Sequence, residues 1–268
     1  MKTNVISSEY LMFQEAISDL TQRELQSLSG KEVINQEGAT IKDYPLLPHL
    51  ELHIHVKDYS AVMDQLSKII VENKSDSAQD IDKIKSLLTN EILERWVREA
   101  VAVNSYYFAD YAKEHGLPEW LPLFLAENAL RPFIQKAAQE VSEQIPKKAH
   151  KGSCPVCGEP PRLAVLNKIG KKEVTCSRCH FAWEEKKISC AHCGTEEPGQ
   201  VVVIRVEEDD SAEIYACKSC NGYTKVIDTR KLLKVATPEL LDLKSIHLDY
   251  MAQENGYGYG EEEEEASH

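Results

Sequence analysis

Cys154-Pro155-Val156-Cys157, Cys176-Ser177-Arg178-Cys179, Cys190-Ala191-His192-Cys193 and Cys217-Lys218-Ser219-Cys220 hold all eight cysteines of this 268-residue chain, within the 67 positions from 154 to 220. A C-x-x-C turn offers two thiolates to one ion while its backbone N–H groups point toward the sulfurs. Two such turns complete a tetrahedral four-sulfur shell. The gap from Cys157 to Cys176 is 18 residues and that from Cys193 to Cys217 is 23. The first falls in the range of a ribbon-type site and the second exceeds it by a few residues.

Each gap also has room for the hairpin such a site requires. Arg162 to Leu166 can run out, turn at Ile169-Gly170-Lys171 and return through Glu173-Val174-Thr175. Val201 to Val206 can run out, turn at Glu208-Asp209-Asp210-Ser211 and return through Glu213-Ile214-Tyr215. The link from Cys179 to Cys190 is ten residues, which suits two consecutive modules better than interleaved pairs. The expected ligand sets are therefore Cys154, Cys157, Cys176 and Cys179 for one ion, and Cys190, Cys193, Cys217 and Cys220 for the other. A thioredoxin-like redox pair needs a thiolate at a helix N-terminus, and none of the four pairs opens a convincing helix. His180 and His192 adjoin sets that already have four sulfurs, so they read as supporting or surface residues. A second possible metal pair, His53 and His55, lacks cysteine or carboxylate partners and reads as surface or packing.

Outward from the cysteines the composition changes. Apolar residues make up 42% of the chain and charged residues 28%, an ordinary globular balance. Residues 1–150 read as helices. Ser7 or Ser8 can cap a segment from about Glu9 to Leu28, with Leu11, Met12, Ile17, Leu20, Leu25 and Leu28 near one face and Gly30 as its stop. A second segment runs from about Tyr59 to Val71. A third spans about Ile81 to His115, where Leu93, Trp96, Val97, Ala100, Val101, Asn104, Tyr107, Phe108 and Tyr111 recur at the spacing of a buried face. Gly116 ends it, and a helix from Pro118 or Pro122 continues to about Ile145, with Pro132 as a kink.

The polar, mostly basic run from Ile145 to Ser153 marks a domain boundary, beyond which β-branched runs replace the helical period. The helical pattern returns in Thr237–Leu243 and His247–Tyr250, and Glu261 to Glu265 belong to an acidic tail with too little apolar content to fold. The expected organisation is α+β: a helical domain (1–150), two small four-cysteine modules (151–186 and 187–235), and a short helical segment with the tail (236–268).

The net charge is -13. Basic and acidic residues number 16 and 23 in 1–150, 14 and 12 in 151–235, and 1 and 9 in 236–268. No basic stripe offers a phosphate-neutralising surface, which disfavours a nucleic-acid-binding zinc-ribbon protein. No apolar run is long enough to cross a bilayer, so membrane insertion is not expected. The start, Met1 to Ser7, lacks the apolar run of a secretory signal, and clustered cysteines in a long signal-less chain suit metal better than disulfides; a cytoplasmic protein is expected. The chain has no Gly-rich phosphate loop, no G-x-S-x-G and no H-E-x-x-H, so an enzyme is not expected.

At the cysteines the chain resembles the formate dehydrogenase accessory protein family, FdhE. The matching elements are Cys154-Pro155-Val156-Cys157-Gly158 with Pro160-Pro161, Cys176-Ser177-Arg178-Cys179 with Trp183, Cys190-Ala191-His192-Cys193-Gly194, and Cys217 to Lys225. The stretch Asp242 to Tyr250, ending near Glu254-Asn255-Gly256-Tyr257, is similar to the family's C-terminal signature. The resemblance implies rubredoxin-like modules that bind iron, where spacing alone leaves iron and zinc open. It also implies a cytoplasmic helper that associates with the catalytic subunit of a respiratory formate dehydrogenase during maturation. An iron-based electron-transfer or redox-sensing protein is the alternative from a different class.

Overall fold

The computed structural model describes residues 6–35, 44–146, 151–207 and 209–258, and the acidic run 261–265 lies outside them. The chain divides into two compact units, Ile6–Gln144 and the part from Ile145 onward.

The first unit is helical: α1 Ser8–Ser27, α2 Val56–Asn73, α3 Ala78–Leu87, α4 Asn90–Val101, α5 Ser105–Glu114 and α6 Trp120–Val141. Helix α6 is its axis and contacts α1, α2, α4 and α5. It is apolar on most sides, as a helix surrounded by others must be, and runs on through Pro132. Tyr59, fully buried on α2, packs against Phe133 with ring centroids 6.5 Å apart and donates its hydroxyl to the Ala126 carbonyl at 3.0 Å. On α1 the Ser7 hydroxyl accepts from the Tyr10 amide, as expected of a cap. The face differs from the sequence reading: Met12 is exposed and Phe13 is buried, stacked near Phe124.

The segment expected as one helix from Ile81 to His115 is three. Thr89 leaves the helical region and accepts from the Ile92 amide at 3.3 Å, starting α4. Val103 adopts φ 51°, and Asn104 caps α5 by accepting from the Tyr107 amide at 3.2 Å. The breaks fold the aromatic stripe back on itself, so Trp96 meets Phe108 and Tyr111 edge-on at 5.4 and 5.3 Å. Gly116, at φ 55°, ends α5, with the Leu117 amide reaching back to the Ala112 carbonyl at 2.8 Å. Replacing Thr89 with Ala should cost this unit about 1 kcal/mol, the usual worth of such a cap. Denaturant unfolding followed by helical signal measures it; an unchanged midpoint would show that the break does not depend on the cap.

The second unit carries β1 Leu163–Leu166, β2 Lys172–Thr175, β3 Ala182–Glu184, β4 Val201–Val206, β5 Asp209–Cys217 and β6 Tyr223–Asp228, then α7 Pro238–Lys244 and α8 Ile246–Glu254. The two expected hairpins are β1–β2 and β4–β5, in antiparallel register through Ala164↔Val174 and Val203↔Tyr215. The second turn is tighter than expected, because β5 already begins at Asp209, and the register shifts between Arg205 and Val206. All six strands form one sheet in the order β3-β2-β1-β6-β5-β4. The hairpins are joined where β1 and β6 run parallel, with Ala164 opposite Val226, a pairing that the long excursion through β2 to β5 permits.

Helices α7 and α8 cover one face. Leu241, Leu248 and Ala252 pack with Leu163, Ala212, Ile214, Ala216 and Ile227 in one buried cluster. A buried charge sits beside it. The Lys225 ammonium, on β6, lies 2.6 Å from Asp242 and 2.7 Å from Asp249, and also donates to the Asp242 carbonyl at 2.8 Å. Among the described residues, no helix is long and apolar enough to cross a membrane.

Candidate metal centres

All four C-x-x-C segments fold into the same turn. The amide of each first cysteine donates to the carbonyl five residues on: Cys154 to Glu159 at 2.7 Å, Cys176 to Phe181 at 3.0 Å, Cys190 to Thr195 at 3.0 Å and Cys217 to Gly222 at 2.9 Å. The residue after each second cysteine takes a left-handed conformation: Gly158 at φ 82°, His180 at 60°, Gly194 at 73° and Asn221 at 59°. Glycine adopts that geometry without strain, and Asn tolerates it better than most side chains. His180 is the exception. Its ring lies 2.6 Å from a Glu239 carboxylate oxygen, tying the turn to α7.

The turns converge in two groups. Cys154, Cys157, Cys176 and Cys179 form one, and Cys190, Cys193, Cys217 and Cys220 the other, with the sulfurs of each within 4.8 Å of one another. The nearest pairs are Cys154–Cys179 and Cys157–Cys176 at 3.5 Å, Cys190–Cys220 at 3.6 Å and Cys193–Cys217 at 3.7 Å. Those separations are far too long for disulfides, whose S–S bond is about 2.05 Å. They approach the ~3.8 Å edge of a tetrahedron with ~2.3 Å metal–sulfur bonds. The donor set therefore fits zinc or iron, and the grouping within hairpins is the one the spacing suggested.

Burial pushes the Cys179 and Cys190 thiols above their ordinary values, whereas hydrogen bonds from the neighbouring thiols of Cys154, Cys176 and Cys179 hold Cys157 below its own. In the first group the Arg178 and Cys179 amides each approach the Cys176 sulfur at 3.4 Å. Such donors stabilise thiolate once an ion is bound.

The histidines serve the turns. The ring of His192 donates through Nε2 to the Tyr223 carbonyl at 2.8 Å, linking the two turns of the second group, and burial holds its pKa below the usual value. Gly222 lies against that ring: an added Cβ would come within 2.9 Å of His192 Cγ. His53 and His55 are exposed, His55 as the residue preceding α2. The possible metal-holding groups among the described residues contain neither.

A cavity of about 420 Å³ adjoins the second group, lined by Arg162, His192, Tyr223, Asp242, Asp249 and Tyr250 among others. It gathers segments far apart in sequence, and the spacing of the cysteines gave no sign of it. Burial and the Asp249 carboxylate, which accepts from the Tyr223 hydroxyl at 2.8 Å, push the Tyr223 pKa up.

No family model matches the chain. Curated relatives named "Protein FdhE homolog" do. The one from Aquifex aeolicus is 32% identical over 148 residues, covering 54% of this chain and 52% of the relative. The one from Pseudomonas aeruginosa is 32% identical over 114 residues, covering 39% and 36%, and that from Haemophilus ducreyi 28% over 145 residues, covering 52% and 44%. The matches thus span from about a third to a half of those relatives. The crystal structure of the FdhE protein from Pseudomonas aeruginosa superimposes with a TM-score of 0.55 at 17% identity, covering 94% of each chain, and so shares the fold. The resemblance read from the cysteines is borne out.

Proposed function

We propose, from this kinship with FdhE homologs, that the chain is a non-enzymatic accessory factor that binds the catalytic subunit of a respiratory formate dehydrogenase during its maturation. Both cysteine groups hold metal in this reading, Cys154, Cys157, Cys176 and Cys179 one ion and Cys190, Cys193, Cys217 and Cys220 the other. Four sulfurs complete each tetrahedral shell and leave no position for a substrate, which suits a binding role better than a catalytic one. The sequence similarity to the FdhE homologs carries the assignment; iron is the metal the resemblance implies, and sulfur donors accept zinc equally well.

Co-purification from the native host tests it. The intact chain should retain the formate dehydrogenase catalytic subunit, and the Cys190→Ser/Cys193→Ser variant should retain much less. Absence of the subunit from the intact chain's eluate would overturn the assignment, and equal retention by both would remove the metal from the contact.

One observation favours a second reading, iron-based electron transfer or redox sensing: Cys193 of the second group is exposed. A sulfur at the surface gives an electron a short path to a partner. A reversible one-electron wave in a redox titration of the iron-loaded protein would support that reading, and its absence would leave the binding role.

A further inference from the structure

The two cysteine groups differ in the one property that governs access to a bound ion. All four cysteines of the first are buried, from Cys154 at 0% to Cys157 at 9% exposure. Of the residues between its paired cysteines, Pro155, Val156 and Arg178 are buried and Ser177 is half-buried, and Phe181 and the almost fully buried Trp183 stack behind the second turn with centroids 6.2 Å apart. In the second group Cys190 and Cys217 are buried, Cys193 is exposed and Cys220 half-buried. The spacer Lys218-Ser219 is exposed, and so is Asn221. One edge of this group, bearing Cys193 and Cys220, therefore faces solvent.

An ion leaves a four-sulfur shell stepwise, as an incoming chelator, competing ion or proton reaches a coordinated thiolate and displaces it. A shell with every sulfur buried gives such an agent no entry, and the hydrophobic surround controls access. An exposed thiolate offers the first step directly.

We infer that the two centres divide the work. The first keeps its ion as a permanent part of the fold, and the second exchanges its ion with thiophilic metal ions and chelators through the Cys193–Cys220 edge. Metal delivery, loss and replacement by soft divalent ions such as cadmium then take place at one address in the molecule. The inference rests on the metal-binding reading above. It adds which centre is open, and to what chemistry.

The test uses the full chain, purified without oxygen and loaded with zinc, treated with excess 4-(2-pyridylazo)resorcinol while the coloured zinc complex is followed. Release should be biphasic, with one ion per chain leaving about tenfold or more faster than the other. Brief iodoacetamide treatment, followed by peptide mass spectrometry, assigns the phases on the unaltered protein. Cys193 and Cys220 should be alkylated before Cys154, Cys157, Cys176 or Cys179. Release of both ions in a single phase, or earlier alkylation of the first group, would overturn the division of work. A chain that takes up no zinc would instead overturn the metal-binding reading itself, and the inference with it.

Discussion

Stripping metal from the reduced protein should abolish the sheet of the second unit while α1 to α6 remain helical. Strands β1, β2 and β3 have only three or four residues each, and beyond their own backbone bonds the cysteine turns are held by a few side-chain links such as His180 to Glu239 and His192 to Tyr223. A structural zinc contributes on the order of 10–16 kcal/mol in small metal-dependent folds, and a whole domain is stable by only about 5–15. Losing two such contributions exceeds what the apolar cluster under α7 and α8 can offset. The parallel pairing of β1 with β6 makes the hairpins neighbours in one sheet, so they should melt together. Helix α6 and its partners share no ligand with either centre and have their own buried core. Hydrogen exchange read by mass spectrometry separates the units: after chelation, amides in β1 to β6 should lose protection and those in α6 should keep it. Full protection of the strands in a verified metal-free sample would refute this.

Replacing Lys225 with Met should destabilise the second unit by about 3 kcal/mol. Its side chain is 2% exposed, and those of Asp242 and Asp249 are 23% and 25% exposed. Breaking a buried ion pair by removing one partner costs about 3–5 kcal/mol, because the other charge is left uncompensated, and the partial exposure of the carboxylates favours the lower end. Asp249 keeps the Tyr223 hydroxyl, whereas Asp242 loses both of its links to β6. Helices α7 and α8 are held to the sheet through these carboxylates, so the loss should appear in their protection first. Adding Asp242→Asn and Asp249→Asn to the same variant should recover much of the stability, since no charge is then stranded. Denaturant midpoints of the three proteins, with metal content checked to be equal, decide it. A single variant as stable as the parent would mean that the ion triad does not pin the helices.

The cysteine pairs were legible because liganding imposes a spacing that survives any reading of the surroundings. The β1–β2 and β4–β5 hairpins followed from the same constraint. Strand β6 did not, since Tyr223-Thr224-Lys225-Val226-Ile227-Asp228 places a lysine in the middle of what proves to be a buried strand. Only Asp242 and Asp249, from helices far along the chain, make that lysine tolerable. Strand β3, three residues long, is too short for any alternation to show. In the helical half the periodicity of Trp96 to Tyr111 was real, but it spans two helices that face each other. The signals that separate them, Thr89 and Asn104, are ordinary cap residues overshadowed by the apolar stripe. Left-handed turns after the cysteines were readable at Gly158 and Gly194 and hidden at His180 and Asn221, whose side chains bond to Glu239 and the Gly258 carbonyl, far along the chain.

Whether the eight cysteines hold two ions in separate all-sulfur shells is decided by metal analysis combined with X-ray absorption at the metal edge, on protein purified without oxygen. Two ions per chain and a first shell of four sulfurs at about 2.3 Å are expected, with no nitrogen or oxygen donor. One ion per chain or fewer, or a shell containing nitrogen or oxygen, would contradict that arrangement.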